Sequence, residues 1–260
     1  MDLRLDGKRA LVCGASQGIG AACARGLAQQ GAEVILLARK QEALEAVRSE
    51  LPNPDQHQCL AVDLLDHKKL HDSIQQFLPG EKPISILVCN SGGPVGGPLL
   101  EADSESFLSA FKQHVLANQV LSKLLLPQMK DAAYGRIINI ISTSVKAPIP
   151  NLGVSNTIRA AVANWAKTLS LELAPFGITV NNVLPGYTKT PRLENLIKLA
   201  AKREECSELK VEEEWKSDVP LGRFASPDEI ANAVCFLASP AASYINGINL
   251  PVDGGRTASL

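Results

Sequence analysis

The sequence predicts an α/β chain, a doubly wound parallel sheet of seven strands with helices on both faces. Three observations predict it. Seven short apolar runs alternate with longer helical patterns, the rhythm of strand–helix–strand units. The runs are apolar throughout, as in Val34-Ile35-Leu36-Leu37, which is the pattern of strands covered on both faces. The first run feeds a glycine-rich turn that opens a helix, Cys13-Gly14-Ala15-Ser16-Gln17-Gly18-Ile19-Gly20.

The predicted strands are Arg9–Cys13, Glu33–Ala38, Gln58–Val62, Ile84–Cys89, Arg136–Ile141, Thr179–Leu184 and Ile245–Val252. Helical patterns fall near 18–30, 40–50, 66–78, 104–130, 153–174 and 227–238. No Pro/Ser-rich linker, charge run or repeat divides the 260 residues, so one domain spanning 1–260 is expected. Segment 191–218 interrupts the rhythm. It follows Pro191, is rich in Lys and Glu, and lies between the sixth strand and the last helix, beside the carboxyl ends of the strands. It reads as a helical lid over a substrate, with a solvated surface helix as the alternative.

Composition excludes several classes. Hydrophobic residues make up 45% and charged residues 20%, with a net charge of −1 and no basic stripe, so no nucleic-acid partner is expected. No apolar run reaches the length of a membrane span, and Met1-Asp2-Leu3-Arg4-Leu5-Asp6 lacks an apolar leader core, which points to a cytoplasmic protein without a membrane partner. None of the six cysteines forms a Cys-x-x-Cys pair. Cys13 and Cys89 sit in strand-like runs, and the set reads as small buried hydrophobes in a reducing compartment.

The glycine-rich turn carries the first chemistry. Glycine permits a positive φ and keeps no side chain between backbone and phosphate. The following helix aims unpaired N–H groups at that phosphate. Gly14, Ser16, Gln17, Gly18, Ile19 and Gly20 are therefore candidate ligands of a dinucleotide. The second strand ends Ala38-Arg39 where an acid would bind the adenosine ribose hydroxyls. Ala38 leaves room and Arg39 offers a planar fork for a phosphate, so NADP(H) is the expected cofactor. After the third strand, Asp63 can accept from the adenine amino group with Leu64 against the ring, or cap the next helix. After the fourth, Asn90, Ser91 and Gly92 let the backbone pass close to a ribose. His67 and His71 sit four apart on a polar helix without an acidic third ligand, so they read as a solvated face and no metal is expected.

These motifs together resemble the short-chain dehydrogenase/reductase family from end to end. Residues 13–20 resemble its Thr-Gly-x-x-x-Gly-x-Gly, and Asn90-Ser91-Gly92-Gly93 stands where the family has Asn-Asn-Ala-Gly. Arg136–Ser142 resembles its fifth strand with the catalytic Ser, and Val252-Asp253-Gly254-Gly255 its closing strand. Pro185-Gly186-Tyr187-Thr188-Lys189-Thr190 matches Pro-Gly-x-x-x-Thr, which implies that Pro185, Gly186, Thr188 and Thr190 hold the nicotinamide amide. The resemblance further implies a Rossmann fold, a small-molecule carbonyl substrate, and a homodimer or homotetramer built on the two long helices and the closing strand.

The reaction centre departs from the family. Its Tyr-x-x-x-Lys begins thirteen residues after the Ser. Counting from Ser142 reaches Ser155, with Arg159 four residues on. Arg159 is placed to contact the nicotinamide ribose, but it stays protonated and cannot shuttle a proton. The hydroxyl of Ser155 is a far weaker acid than a phenol. Ser142, Ser155 and Arg159 are thus the candidate catalytic set, with Lys146 or Tyr187 as substitute proton donors. Packing under the lid is the alternative for Tyr187. His114 falls where an Asn usually carries a relay water. The chemistry expected is hydride transfer from NADPH to a ketone or 3-oxoacyl carbonyl. Conjugate reduction of an enone, or NADP(H) binding without turnover, are the alternatives.

Overall fold

A computed structural model of the protein describes residues 1–78 and 82–259. Its seven parallel strands run in the order β3-β2-β1-β4-β5-β6-β7. They are β1 (Arg9–Cys13), β2 (Glu33–Ala38), β3 (Gln58–Ala61), β4 (Ile84–Cys89), β5 (Gly135–Ile140), β6 (Ile178–Pro185) and β7 (Asn249–Val252). The helices are α1 (Gly18–Gln29), α2 (Gln41–Ser49), α3 (His67–Gln75), α4 (Ser104–Phe111), α5 (Ala117–Asp131), α6 (Gly153–Leu173), α7 (Pro191–Arg203), α8 (Glu208–Ser217) and α9 (Pro227–Ala238). Strand order reverses between β1 and β4, and that switch point opens a crevice at the carboxyl ends of the strands.

Alternate residues of each strand feed separate cores, which is why the runs are apolar throughout. Val12, Leu36, Val88 and Ile138 pack on the face shared with α1 and α9. Leu11, Ile35, Leu87 and Ile137 pack on the other, with α3 and α5. Cys13, Cys23, Cys89 and Cys235 are buried free thiols in these cores. A chain of buried amides crosses the sheet: Asn118 donates to Asn139 at 3.3 Å, Asn139 to Asn182 at 2.9 Å, and Asn182 to Asn249 at 2.8 Å. No helix among the described residues is long and apolar enough to cross a membrane.

Several expected boundaries move. The pattern at 104–130 is not one regular helix; a π-turn at Lys112–Leu116 separates α4 from α5. The run from Ile245 becomes a strand only at Asn249, because Gly247 turns the chain at φ +72° and its N–H donates to the carbonyl of Val180. Segment 191–218 is helical, formed by α7 and α8, which close a small core of Leu193, Ile197, Val211 and Phe224 with Tyr187 and Trp215 against it.

Candidate active site

The turn after β1 is shaped by Gly14 and Gly18, at φ +62° and +56°. A Cβ on Gly14 would stand 2.7 Å from Nδ2 of Asn90, and one on Gly20 would strike the carbonyl of Gly14. The Asn90 amide donates to the carbonyl of Cys13 at 3.3 Å, locking the ends of β1 and β4 together. Below this cradle α1 begins without a side-chain cap: Gln17 is extended, makes no cap bond, and no acid lies in the first turn. By comparison α3, α4, α7, α8 and α9 are capped by Asp66, Asp103, Thr190, Ser207 and Ser226, whereas α2 and α6, like α1, start without a side-chain cap. Uncapped N–H groups beneath a glycine cradle fit a diphosphate. Ser16 and Ile19 are half-buried at its rim and Gln17 is exposed.

Arg39 is exposed past the end of β2, half-buried Ala38 precedes it, and no carboxylate among the described residues pairs with it. Asp63 does not cap α3. That role belongs to Asp66, which accepts from the N–H of Lys69 at 3.0 Å, while Asp63 accepts from the N–H of Leu65 at 3.0 Å. Leu64 joins the core that includes Leu60 and Leu70, so Asp63 is the group with polar atoms to offer at this strand end. The Nε2–H of His67 donates to the carbonyl of Lys112 at 3.0 Å, and Nδ1 of His71 faces the carboxylate of Asp72 at 3.2 Å.

The loop after β4 and the start of α6 meet at Arg159. Its Nη1 donates to the carbonyl of Ile140 at 2.9 Å and its Nη2 to that of Ser91 at 3.5 Å, tying together the ends of β4 and β5. Burial first, then the charge of Arg192, brings its pKa down to about 10. Ser142 follows β5 and its Oγ accepts from the N–H of Ser144 at 3.1 Å. Ser142 and Ser155 are both half-buried. His114, on the π-turn, is buried and its Nδ1 lies 2.7 Å from the hydroxyl of Ser91. Burial, reinforced by the Arg159 charge, lowers its pKa to about 2.

The second half of the site is the loop after β6. The hydroxyl of Thr188 donates to the carbonyl of Gly186 at 3.1 Å, and that of Thr190 to the carbonyl of Thr188 at 3.2 Å. Thr190 reaches across to the glycine turn, where a Cβ on Gly18 would lie 3.2 Å from its methyl. Pro185 ends β6, bonded in register to Val252. Tyr187 packs under α8: its ring stacks on Trp215 at 4.9 Å and meets the edge of Phe224 at 5.7 Å. Its hydroxyl accepts from Arg256 at 3.0 Å, and burial raises its pKa. The packing alternative therefore describes Tyr187, not the role of proton donor.

A groove of 590 Å³ beside α6 is walled by Leu99, Val145, Pro148, Ile149 and Thr157. It takes Gly153, Asn156, Thr157 and Ala160 from α6. Ser142, Ser155 and Arg159 do not line it, so this groove is not where the reacting groups converge. Two participants escaped the sequence reading. Arg192 was hidden one residue past Pro-Gly-x-x-x-Thr-Pro, and its Nη2 donates to the carbonyl of Pro94 at 2.7 Å. Arg256, near the chain end, had no motif to mark it.

Comparison with known proteins accords with this geometry. The profile of a family described as enoyl-(acyl carrier protein) reductase matches residues 14–257. The chain is 32% identical over 256 residues to the NADPH-dependent reductase BacG of Bacillus subtilis (strain 168), covering 97% of this chain and 99% of that protein. It is 34% identical over 253 residues to a 3-oxoacyl-(acyl-carrier-protein) reductase of Rickettsia bellii, covering 96% and 97%. The crystal structure of L-sorbose reductase from Gluconobacter frateurii, complexed with NADPH and L-sorbose, superposes with a TM-score of 0.92 at 30% identity over 100% of both chains. The fold, the glycine cradle and these matches agree: the chain belongs to the short-chain dehydrogenase/reductase family.

Proposed function

We propose that this protein is an NADPH-dependent oxidoreductase that directs hydride to the carbonyl carbon of a ketone or 3-oxoacyl-type substrate. The observation that carries the reading is the uncapped start of α1 beneath Gly14 and Gly20, with Arg39, which pairs with no carboxylate among the described residues, at the end of β2. Arg39 takes the 2′-phosphate and Asp63 the adenine amino group. Asn90, Ser91, Gly92 and Arg159 line the nicotinamide ribose, and Pro185, Gly186, Thr188 and Thr190 hold the nicotinamide amide. NADPH supplies the hydride when bound. The chain's own part is to orient the carbonyl and to stabilise the oxyanion that develops. Ser142 donates to that oxygen, Ser155 adds a weaker hydrogen bond, and Arg159 supplies positive charge; one such donor is worth ~3–4 kcal/mol. The alkoxide then takes its proton from solvent water to give the alcohol.

Ser155, standing where a phenol acid would, also supports a second reading. Conjugate reduction of an enone needs hydrogen bonds to an enolate more than an acid at the oxygen. The pair α7–α8 forms the substrate lid. A homodimer or homotetramer also belongs to this reading, on different grounds from those the sequence offered. Leu121 and Leu125 are buried in their own chain, whereas Leu108, Phe111, Leu116 and Leu171 leave apolar surface exposed on α4, the turn that follows it and α6. The test is NADPH oxidation by purified protein across parallel panels of ketones, 3-oxoacyl thioesters and enones. Turnover of a ketone or thioester is expected; NADPH binding with no turnover anywhere would identify a non-catalytic binding protein and overturn the reading.

A further inference from the structure

Gly93 stands between two arginines. A Cβ built on it would lie 3.3 Å from Nη2 of Arg192 and 3.8 Å from Nη2 of Arg159. Both guanidinium groups thus approach one point on the loop after β4. Arg159 is 8% exposed and Arg192 half-buried, and no carboxylate among the described residues acts on either. Two cations brought this close and partly desolvated are costly unless an anion joins them.

The position of Arg192 says which anion. It occupies the first turn of α7, behind Pro191 and the Thr190 cap, whose hydroxyl accepts from the N–H of Leu193 at 3.3 Å. Its bond to the carbonyl of Pro94 at 2.7 Å holds the guanidinium beside the loop after β4, just past Asn90–Gly92, the stretch assigned to the ribose. A guanidinium has five N–H donors, so the bond to Pro94 leaves a fork for a planar anion. Resting on the reductase reading above, we propose that Arg192 is a specificity residue that recognises a carboxylate on the carbonyl substrate, so that the preferred substrates are oxo acids.

The test uses calorimetric titration of the protein saturated with NADP⁺, in which no reduction runs. The ligands are pyruvate, acetoacetate and levulinate, each against its methyl ester. At least one acid should bind roughly tenfold or more tighter than its ester, the effect of a hydrogen bond to a charged group. Arg192→Gln should erase that preference and leave NADP⁺ affinity within about threefold, and Arg192→Lys should keep part of it, because the charge stays while the fork is lost. If no acid outbinds its ester in the wild type, the proposal falls without recourse to any variant. If Arg192→Gln costs NADP⁺ more than about tenfold in affinity, the arginine serves the cofactor diphosphate and the proposal also falls. Steady-state assays with the same ligands separate the two readings. Acid-selective binding without turnover overturns the reductase and keeps the anion site; equal turnover of acids and esters does the reverse.

Discussion

Ser91 and His114 meet at 2.7 Å, hydroxyl to Nδ1, although 23 residues separate them in the chain. The contact joins the loop after β4 to the π-turn before α5, and it places a neutral imidazole beside Arg159. His114 is 3% exposed, and its Nε2 has no partner among the described residues. Burial and the Arg159 charge both act against its protonation, while the backbone of Gly92 acts weakly the other way.

A pH dependence follows from that burial. The folded pKa, about 2, lies below the ordinary 6.5, so between these values the unfolded chain binds a proton that the folded chain does not. The contribution of His114 to stability is full above pH 6.5 and is lost as pH falls toward about 2, at up to ~1.4 kcal/mol per pH unit. Melting temperatures from pH 7 to 4 should fall more steeply for wild type than for His114→Asn. Parallel curves would show that another group controls acid sensitivity.

The glycine cradle makes a steric prediction. Gly20→Ala would drive a Cβ into the carbonyl of Gly14 and to 2.7 Å from Nδ2 of Asn90. A stability loss of ~1–3 kcal/mol is expected, together with loss of NADPH binding. Gly97→Ala meets nothing within 4 Å and should stay within ~0.5 kcal/mol of wild type. Thermal melts and NADPH titration of both variants check this.

On the proposed assignment, Arg39 sets the cofactor choice. Arg39→Ala should weaken NADPH binding by ~1.5–3 kcal/mol and leave NADH nearly unchanged. Fluorescence titration of both cofactors decides it, and equal wild-type affinities for NADPH and NADH would refute the assignment.

At the reaction centre, Ser155→Ala should cost one hydrogen bond, ~0.5–1.5 kcal/mol, or roughly tenfold in rate at most. Ser142→Ala should cost ~10²-fold or more as the main oxyanion donor. Arg159→Ala should weaken cofactor binding and also destabilise the fold, because it leaves the buried carbonyl of Ile140 without its donor at 2.9 Å. Steady-state kinetics paired with melts separates these effects. A thousandfold slowing in Ser155→Ala with NADPH affinity intact would make its hydroxyl the proton donor.

What the sequence made legible was local. The strands announce themselves because both faces are covered, so every residue of Val34-Ile35-Leu36-Leu37 is apolar. Gly14–Gly20 is legible because a close backbone approach admits one residue type, and Arg39 because it stands where an acid would. What escaped depends on contacts between distant segments. In sequence Asp63 offers itself as a cap of the next helix, and only the start of α3 gives that role to Asp66. Leu121 and Leu125, within the helical pattern at 104–130, reveal their partner only once the sheet beneath them is seen. Arg192 looks like any first-turn cation until its 98-residue reach to Pro94 is known.

The stack of Tyr187 on Trp215 at 4.9 Å gives the protein a built-in optical probe. The chain has two tryptophans, and the other, Trp165, is anchored on α6 through its indole N–H to Gln119 at 2.7 Å. Emission from Trp215 senses a phenol ring against one face and, through that ring, the guanidinium of Arg256, 4.3 Å from the phenol centroid. With Trp165 replaced by Phe, the remaining indole would report any parting of α8 from the loop after β6, with no dye attached and at the speed of a stopped-flow mixer.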